Sequence, residues 1–142
     1  MTIRDILRRK GSAVVTVAPA MPVHEAMRTL VAANIGAAVV VAEGAVRGII
    51  SERDILRAGA ENLAILATAR VSDLMTTEVV TAPPSADLRG VMDTLTERRI
   101  RHLPVLEGGA LVGMVSIGDV VNAVRESIEA ENVALHTYIA TA

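Results

Sequence analysis

The 142-residue chain has no cysteine, no tryptophan and no phenylalanine, and Tyr138 is its one aromatic residue apart from histidine. The absence of cysteine excludes disulfides, thiolate metal ligands and thiol chemistry. The shortage of aromatics means that a planar base, if one binds, lies among aliphatic side chains and not on a ring. An excess of positive charge is missing too. Net charge is −2 and the isoelectric point is near 5.9, so the chain lacks the basic surface through which nucleic acid is held. The three histidines, His24, His102 and His136, are too scattered for metal-ligand spacing. Long apolar runs are absent as well, although 51% of residues are hydrophobic and mean hydropathy is +0.45. Asn34, Gly36, Glu43 and Arg47 interrupt them well before the roughly 18 to 20 residues that a spanning helix needs. The opening MTIRDILRRKGS mixes charges with its apolar residues and has no signal-peptide core. A cytoplasmic protein is expected, with neither membrane nor nucleic acid as a partner.

What is present is a repeat. Residues 46–56, VRGIISERDIL, return as LVGMVSIGDVV at 111–121, and Gly48 and Gly113, Ser51 and Ser116, and Asp54 and Asp119 each stand 65 positions apart. A shared period of this length marks two copies of one folding unit. In each copy an apolar run passes through Ser to an Asp three positions later, the pattern of a buried strand turning into a helix. The first helical N–H groups and the hydroxyl suit an anion, and the carboxylate suits a pair of hydroxyls, so a phosphate and a ribose diol would satisfy the junction. The same Ser-x-x-Asp also caps a helix without binding anything. Capping alone could be met by several residue types, and its recurrence at both junctions favours a ligand.

The lead-in repeats as well, since residues 71–75 resemble residues 3–7 at an offset of 68. Ile3, Ile6 and Leu7 form one face of a short helix that Gly11 ends. Residues 14–17 and 79–81 read as short strands ended by Pro19 and by Pro83-Pro84. Helices follow, with the stripes Val23, Ala26, Met27, Leu30, Val31 and Leu88, Val91, Met92, Leu95. Gly90 in the second of these costs about 1 kcal/mol against Ala, which close helix packing would explain. Residues 37–41 and 46–50, and 103–106 and 111–115, form hairpins around Glu43-Gly44 and Gly108-Gly109. Their strands lack polar alternation, so both faces of the sheet are covered. The fold class expected is α+β: two β-α-β-β-α units in tandem, packed with pseudo-twofold symmetry. Unit 1 takes residues 1–70 with the N-terminal helix and an alanine-rich connector at 57–70, and unit 2 takes residues 71–142. Its final helix is extended, and Val121, Val124, Ile128, Leu135 and Ile139 keep one face apolar, to cover either this chain's core or a second chain.

Paired units of this kind, each ending in G-h-h-S-x-x-D-h-h, resemble tandem CBS domains, the Bateman module. SERDIL, RRIRHLPV, SIGDVV and the tail LHTYIATA are similar to the small stand-alone bacterial CBS-pair proteins. The resemblance implies a homodimeric regulatory module, not an enzyme, whose two clefts take an adenosine nucleotide such as AMP, ADP, ATP or NAD(H) and whose occupancy acts on a protein partner of unknown identity. It requires no metal or other cofactor. In the second cleft it implies Asp119 on the ribose hydroxyls, Ser116 near the phosphate, Thr81 at the entering strand, and Arg101 and His102 on the phosphates. The adenine is expected among Val80, Ile100, Leu103, Pro104 and Met114. In the first cleft the corresponding residues are Asp54, Ser51 and Thr16, with Ala37, Ala38 and Arg53. Gly36 and Ala37 stand where the second copy has Arg101 and His102, so AMP is expected to depend on Asp119 more than on Asp54. Arg53 could instead favour a longer ligand such as NADH. Arg98 and Arg99 are read with Glu97 as a solvated surface. Two other classes compete with the sensor. One is a structural dimer without a ligand; the other is an enzyme using Ser116, His102 and Asp119, for which the sequence shows neither an oxyanion site nor a metal.

Overall fold

In the computed structural model residues 1–141 are described, and Ala142, the end of the LHTYIATA tail, lies outside the described residues. Helix α1 (Ile3–Lys10) starts where the Asp5 carboxylate accepts the Thr2 N–H at 2.8 Å and stops at Gly11, whose φ of 94° suits glycine. Its apolar face does not turn toward the strands that follow it in sequence. Ile3 and Ile6 are buried with Leu88, Leu95, Leu103, Val115 and Val120, all from the second half. The reciprocal holds for α5 (Val71–Leu74), which puts Val71 among Val17, Val23, Leu30, Val40 and Ile50 of the first half. Each half thus has its lead-in helix in the other's core. The repeat glycines make room for this. A Cβ on Gly113 would fall 2.7 Å from Leu7 Cδ2, and one on Gly48 would fall 2.7 Å from the Thr76 carbonyl and 2.9 Å from Met75 Sδ.

The first half continues with β1 (Thr16–Val17), α2 (Val23–Ala33), β2 (Ala37–Ala42), β3 (Ala45–Ser51), α3 (Glu52–Glu61) and α4 (Ile65–Thr68). Strand β2 pairs parallel with β1 and antiparallel with β3, with Ala37 opposite Ser51. The second half has α6 (Leu88–Arg98), β4 (His102–Glu107), β5 (Ala110–Ser116) and α7 (Ile117–Thr141). The hairpin register repeats, with His102 opposite Ser116 and an irregularity after Val105 where the first half has one after Val40.

Three expectations need correction. No strand forms over residues 79–81; a single parallel bridge, Ala82 to Val105, stands in its place. In the first half the Val39 N–H donates to the Val15 carbonyl at 3.3 Å, and the residue 65 positions after Val39 is Pro104, which has no N–H to give. Val31 is 80% exposed, because Val23, Ala26 and Leu30 already fill the contact with the sheet. Gly90 meets nothing within 4 Å, so packing does not account for it. Of α7, Val120 and Ala123 are buried, whereas Ile128, Val133, Leu135, Tyr138 and Ile139 are all more than half exposed. The outer part of this helix covers none of the chain's own core.

Candidate functional site

Both strand-to-helix junctions fold as their sequences require. At the first, Ser51 ends β3 and caps α3: the Ser51 N–H and hydroxyl both donate to Asp54 Oδ2 at 2.9 Å, and the Asp54 N–H donates to Ser51 Oγ at 3.2 Å. The other carboxylate oxygen, Oδ1, receives among the described residues only a long bond of 3.4 Å from the Thr76 hydroxyl. At the second, the Ser116 N–H donates to Asp119 Oδ2 at 2.8 Å and the Asp119 N–H to Ser116 Oγ at 3.1 Å. Capping is therefore real at both places, and it engages the same one oxygen of each carboxylate. What distinguishes the junctions is their surroundings.

Past the first junction runs the segment that leads into the second half. Ile49 and Thr76 exchange backbone hydrogen bonds of 3.0 and 2.9 Å, which fixes residues 76–80 alongside the end of β3. A cavity of about 630 Å³ opens between this segment, the first turn of α3 and the entrance to β4. It brings together Ser51, Arg53 and Asp54 from one expected cleft with Val80, Ile100, Arg101, His102 and Pro104 from the other. The expected grouping is thereby corrected. Arg101, His102 and their neighbours share a cavity with Asp54, and Ser116, Asp119 and Met114 do not line it. The repeat offset sorts residues by folding unit, whereas the packing of the halves sets the junction of one against the strand entrance of the other. Thr16 and Thr81 are exposed away from the cavity lining, and Ala37, Ala38 and Leu103 are buried in the cores.

Gly36 also changes meaning. A Cβ there would come within 3.2 Å of Glu52 Oε1 and 3.4 Å of His102 Cε1. The glycine leaves room for a carboxylate and an imidazole to approach, and the basic groups missing from the first copy arrive from the second.

The lining also includes Glu52, Arg57, Glu78 and Arg99, none of which was expected in a cleft. Glu52 lies inside the Ser-x-x-Asp signature and Arg57 stands one helical turn after Asp54, the one signal that could have drawn attention to them. Arg99, read from sequence as a solvated surface residue, instead ends α6 with φ 54° and enters the lining. Its counterpart Asn34 has φ 53°. Asparagine tolerates this left-handed conformation better than arginine does, so the arginine is held there against its backbone preference.

Four arginines, Arg53, Arg57, Arg99 and Arg101, thus face three carboxylates, Glu52, Asp54 and Glu78. Among the described residues none of the four takes part in an ion pair. Burial holds the His102 imidazole below its usual value of 6.5, with Lys10 and Arg101 acting in the same direction against Glu52 and Asp119. It is neutral at pH 7. Because its folded value lies below its unfolded one, the stability associated with neutral His102 is complete above pH 6.5 and is lost as the pH falls through the folded value. An anion bound beside the ring should reverse this. We expect the His102 NMR titration midpoint to lie below 6.5 in the free protein and to rise when a phosphate-bearing ligand saturates the cavity. An unmoved midpoint would place the phosphate elsewhere.

The second junction is occupied from within. The Lys10 ammonium donates to Asp119 Oδ2 at 2.6 Å and to the Met114 carbonyl at 2.9 Å. Burial, the largest single influence on Asp119, pushes its carboxyl up, but the Lys10 and Ser116 hydrogen bonds together outweigh it and hold the group below 3.8. Among the described residues no cluster of metal-ligating side chains is present, and no helix is long and apolar enough to cross a membrane.

Comparison with known proteins agrees with the repeat. The family model described as CBS domain matches residues 3–61 and again residues 71–126. The CBS domain-containing protein CBSX3, mitochondrial, of Arabidopsis thaliana is 36% identical over 147 residues, which cover 97% of this chain and 71% of that protein. The CBS domain-containing protein YhcV of Bacillus subtilis is 35% identical over 75% of each chain. Among solved structures, the CBS-domain containing protein ATU1752 from Agrobacterium tumefaciens superposes with a TM-score of 0.84 at 44% identity, over 87% of this chain and 98% of that one. The CBS domain pair of protein MJ0100, in complex with 5′-methylthioadenosine and S-adenosyl-L-methionine, superposes with a TM-score of 0.79 at 26% identity, over 89% and 98% of the respective chains.

Proposed function

The chain belongs to the CBS-domain family and carries two of its domains in tandem, and from that premise we propose that it is a regulatory module binding one phosphorylated adenosine nucleotide in the cavity between its halves. The observation that carries this reading is the presence of Asp54 in one cavity with four arginines outside any described ion pair. A volume of about 630 Å³ is within the usual range for small-molecule sites. The ribose diol goes to the Asp54 carboxylate. The adenine lies among Ile49, Val80, Ile100 and Pro104, and because Pro104 has no N–H, the Val80 carbonyl is left able to accept from the amino group of the base. The bound adenosyl compounds of the MJ0100 pair support the ligand class.

The arginines support a finer choice. Guanidinium groups pair with phosphate oxygens in bidentate fashion, and several of them suit a ligand with more than one phosphate. ADP, ATP or NAD(H) should therefore bind more tightly than AMP, and adenosine least of all. Such a ligand spans the first turn of α3, residues 76–80 and the entrance to β4, so its arrival draws the two halves together, and a protein partner reads that change. The exposed apolar residues of α7 support a homodimer as the working unit, and a monomeric mass by light scattering would remove that part of the proposal. Catalysis by Ser116, His102 and Asp119 is disfavoured by the geometry. Ser116 Oγ is an acceptor in the cap, and the Asp119 carboxylate serves the Ser116 N–H and Lys10.

Calorimetry on nucleotide-stripped protein with adenosine, AMP, ADP, ATP and NADH tests the reading. Affinity should rise with phosphate number and fall with added salt. Adenosine binding as tightly as ATP would detach the arginines from the ligand, and silence from all five would leave the structural dimer.

A further inference from the structure

The two junctions repeat the Ser-x-x-Asp cap but differ in what fills them. We propose that Lys10 is a built-in lock on the second junction, an internal cation that occupies Asp119 and keeps that junction from accepting a ligand while the first stays open.

The placement of Lys10 is not that of a loose surface lysine. It ends α1, and α1 is fixed to the second half along its length: Ile3 and Ile6 in the core, Leu7 against Gly113, Ile3 and Arg4 N–H groups donating to the Ala86 and Pro84 carbonyls at 3.0 and 2.9 Å, and Arg9 paired with Glu126. The ammonium reaches its two acceptors from this anchored end. The ammonium and the Ser116 N–H both take Asp119 Oδ2, so a pair of ligand hydroxyls approaching the other oxygen would meet a carboxylate whose charge is already paired at 2.6 Å, with the ammonium beside it.

The repeat shows what the first junction has instead. Leu7 packs at Gly113 as Met75 packs at Gly48, and the same offset of 68 carried on in sequence sets Glu78 against Lys10, although Lys10 ends helix α1 and Glu78 lies past the end of α5 in non-helical chain. Glu78 lines the open cavity beside Asp54. The sign of charge at this offset is inverted between the two lead-ins, and an acid cannot close on an acid. The exchange of lead-in helices is what brings each of these residues to its junction. Lys10 is therefore a side chain that sets the availability of one junction against that of the other.

This rests on the nucleotide reading given above for one of its tests but not for the other. With ATP as probe, the full chain should bind one equivalent, and Lys10→Met should bind two, or bind the second at least tenfold more tightly. Two equivalents on the wild-type chain, or one on a folded Lys10→Met chain, would overturn the lock. If the wild-type chain binds no nucleotide, it is the proposed function that fails, and the lock is judged by the chemistry of Lys10 itself. As the chain's only lysine, Lys10 can be followed by limited acetylation and mass spectrometry, with the Met1 amine as internal reference. Asp119→Asn, which retains an acceptor for the Ser116 N–H, should accelerate acetylation of Lys10 severalfold, whereas Asp54→Asn should not. Equal rates in the wild-type and Asp119→Asn chains would show that the ion pair does not hold in solution and would end the proposal.

Discussion

Asp54→Ala should weaken ATP binding about tenfold to a hundredfold, while Asp119→Ala leaves it nearly unchanged. A carboxylate accepting from ribose hydroxyls makes charge-assisted hydrogen bonds of roughly 1.5–3 kcal/mol, and each 1.4 kcal/mol is a factor of about ten. Asp54 lines the cavity that holds Arg101 and His102, whereas Asp119 does not, and its carboxylate is already met by Lys10. The ranking read from sequence, with Asp119 first, is reversed for that reason. Asp54 also accepts the Ser51 N–H in the capping box of α3, and capping contacts are worth about 0.5–2 kcal/mol of stability, so circular dichroism must accompany the calorimetry. Asp54→Asn separates the two roles, because it retains a cap acceptor and loses the charge. It should melt close to the wild type and still lose much of the affinity. Unchanged binding by Asp54→Ala would reduce the carboxylate to a helix cap, and a loss confined to Asp119→Ala would show that the ligand enters the other junction.

That reversal marks where sequence reading stops. The hairpins and both Ser-x-x-Asp caps were legible because each is local, a turn beside an apolar run; the register was not, since the irregularities after Val40 and Val105 are what set Ala37 opposite Ser51 and His102 opposite Ser116. The family followed from the same motifs. The exchange of α1 and α5 was not legible, since a repeat offset assigns each lead-in to its own unit and is silent about which core it enters. The makeup of the cavity depended on that exchange, which is why Asp54 and His102 meet although they stand in different copies. The lost strand at residues 79–81 could have been anticipated from Pro104, but only by placing it opposite Val80 first. Arg99 gave no signal, as its position in the lining depends on the left-handed turn that ends α6.

Gly48→Ala should be the most damaging of the conservative glycine substitutions, lowering the melting temperature by roughly 4–12 °C. A Cβ at Gly48 would sit 2.7 Å from the Thr76 carbonyl oxygen and 2.9 Å from Met75 Sδ. The carbonyl cannot retreat freely, since it accepts the Ile49 N–H at 3.0 Å in the bridge that fixes residues 76–80. Overfilling a packed site of this kind costs about 1–3 kcal/mol, and for a chain of this length each kcal/mol moves the midpoint by roughly 4 °C. Gly113→Ala provides the control, because its Cβ would meet Leu7 Cδ2 at 2.7 Å and Cδ1 at 3.0 Å, the end of a side chain that can rotate away. Gly90→Ala meets nothing within 4 Å and should stabilise its helix by about 0.5–1 kcal/mol. Thermal circular dichroism should therefore order the proteins with Gly90→Ala above the wild type, then Gly113→Ala, then Gly48→Ala. Below its melting point Gly48→Ala should also bind ATP more weakly than Gly113→Ala does, because the displaced backbone is the wall of the cavity that carries Val80. If Gly48→Ala melts with the wild type and binds as it does, the Ile49–Thr76 bridge is loose in solution, and residues 76–80 do not shape the site.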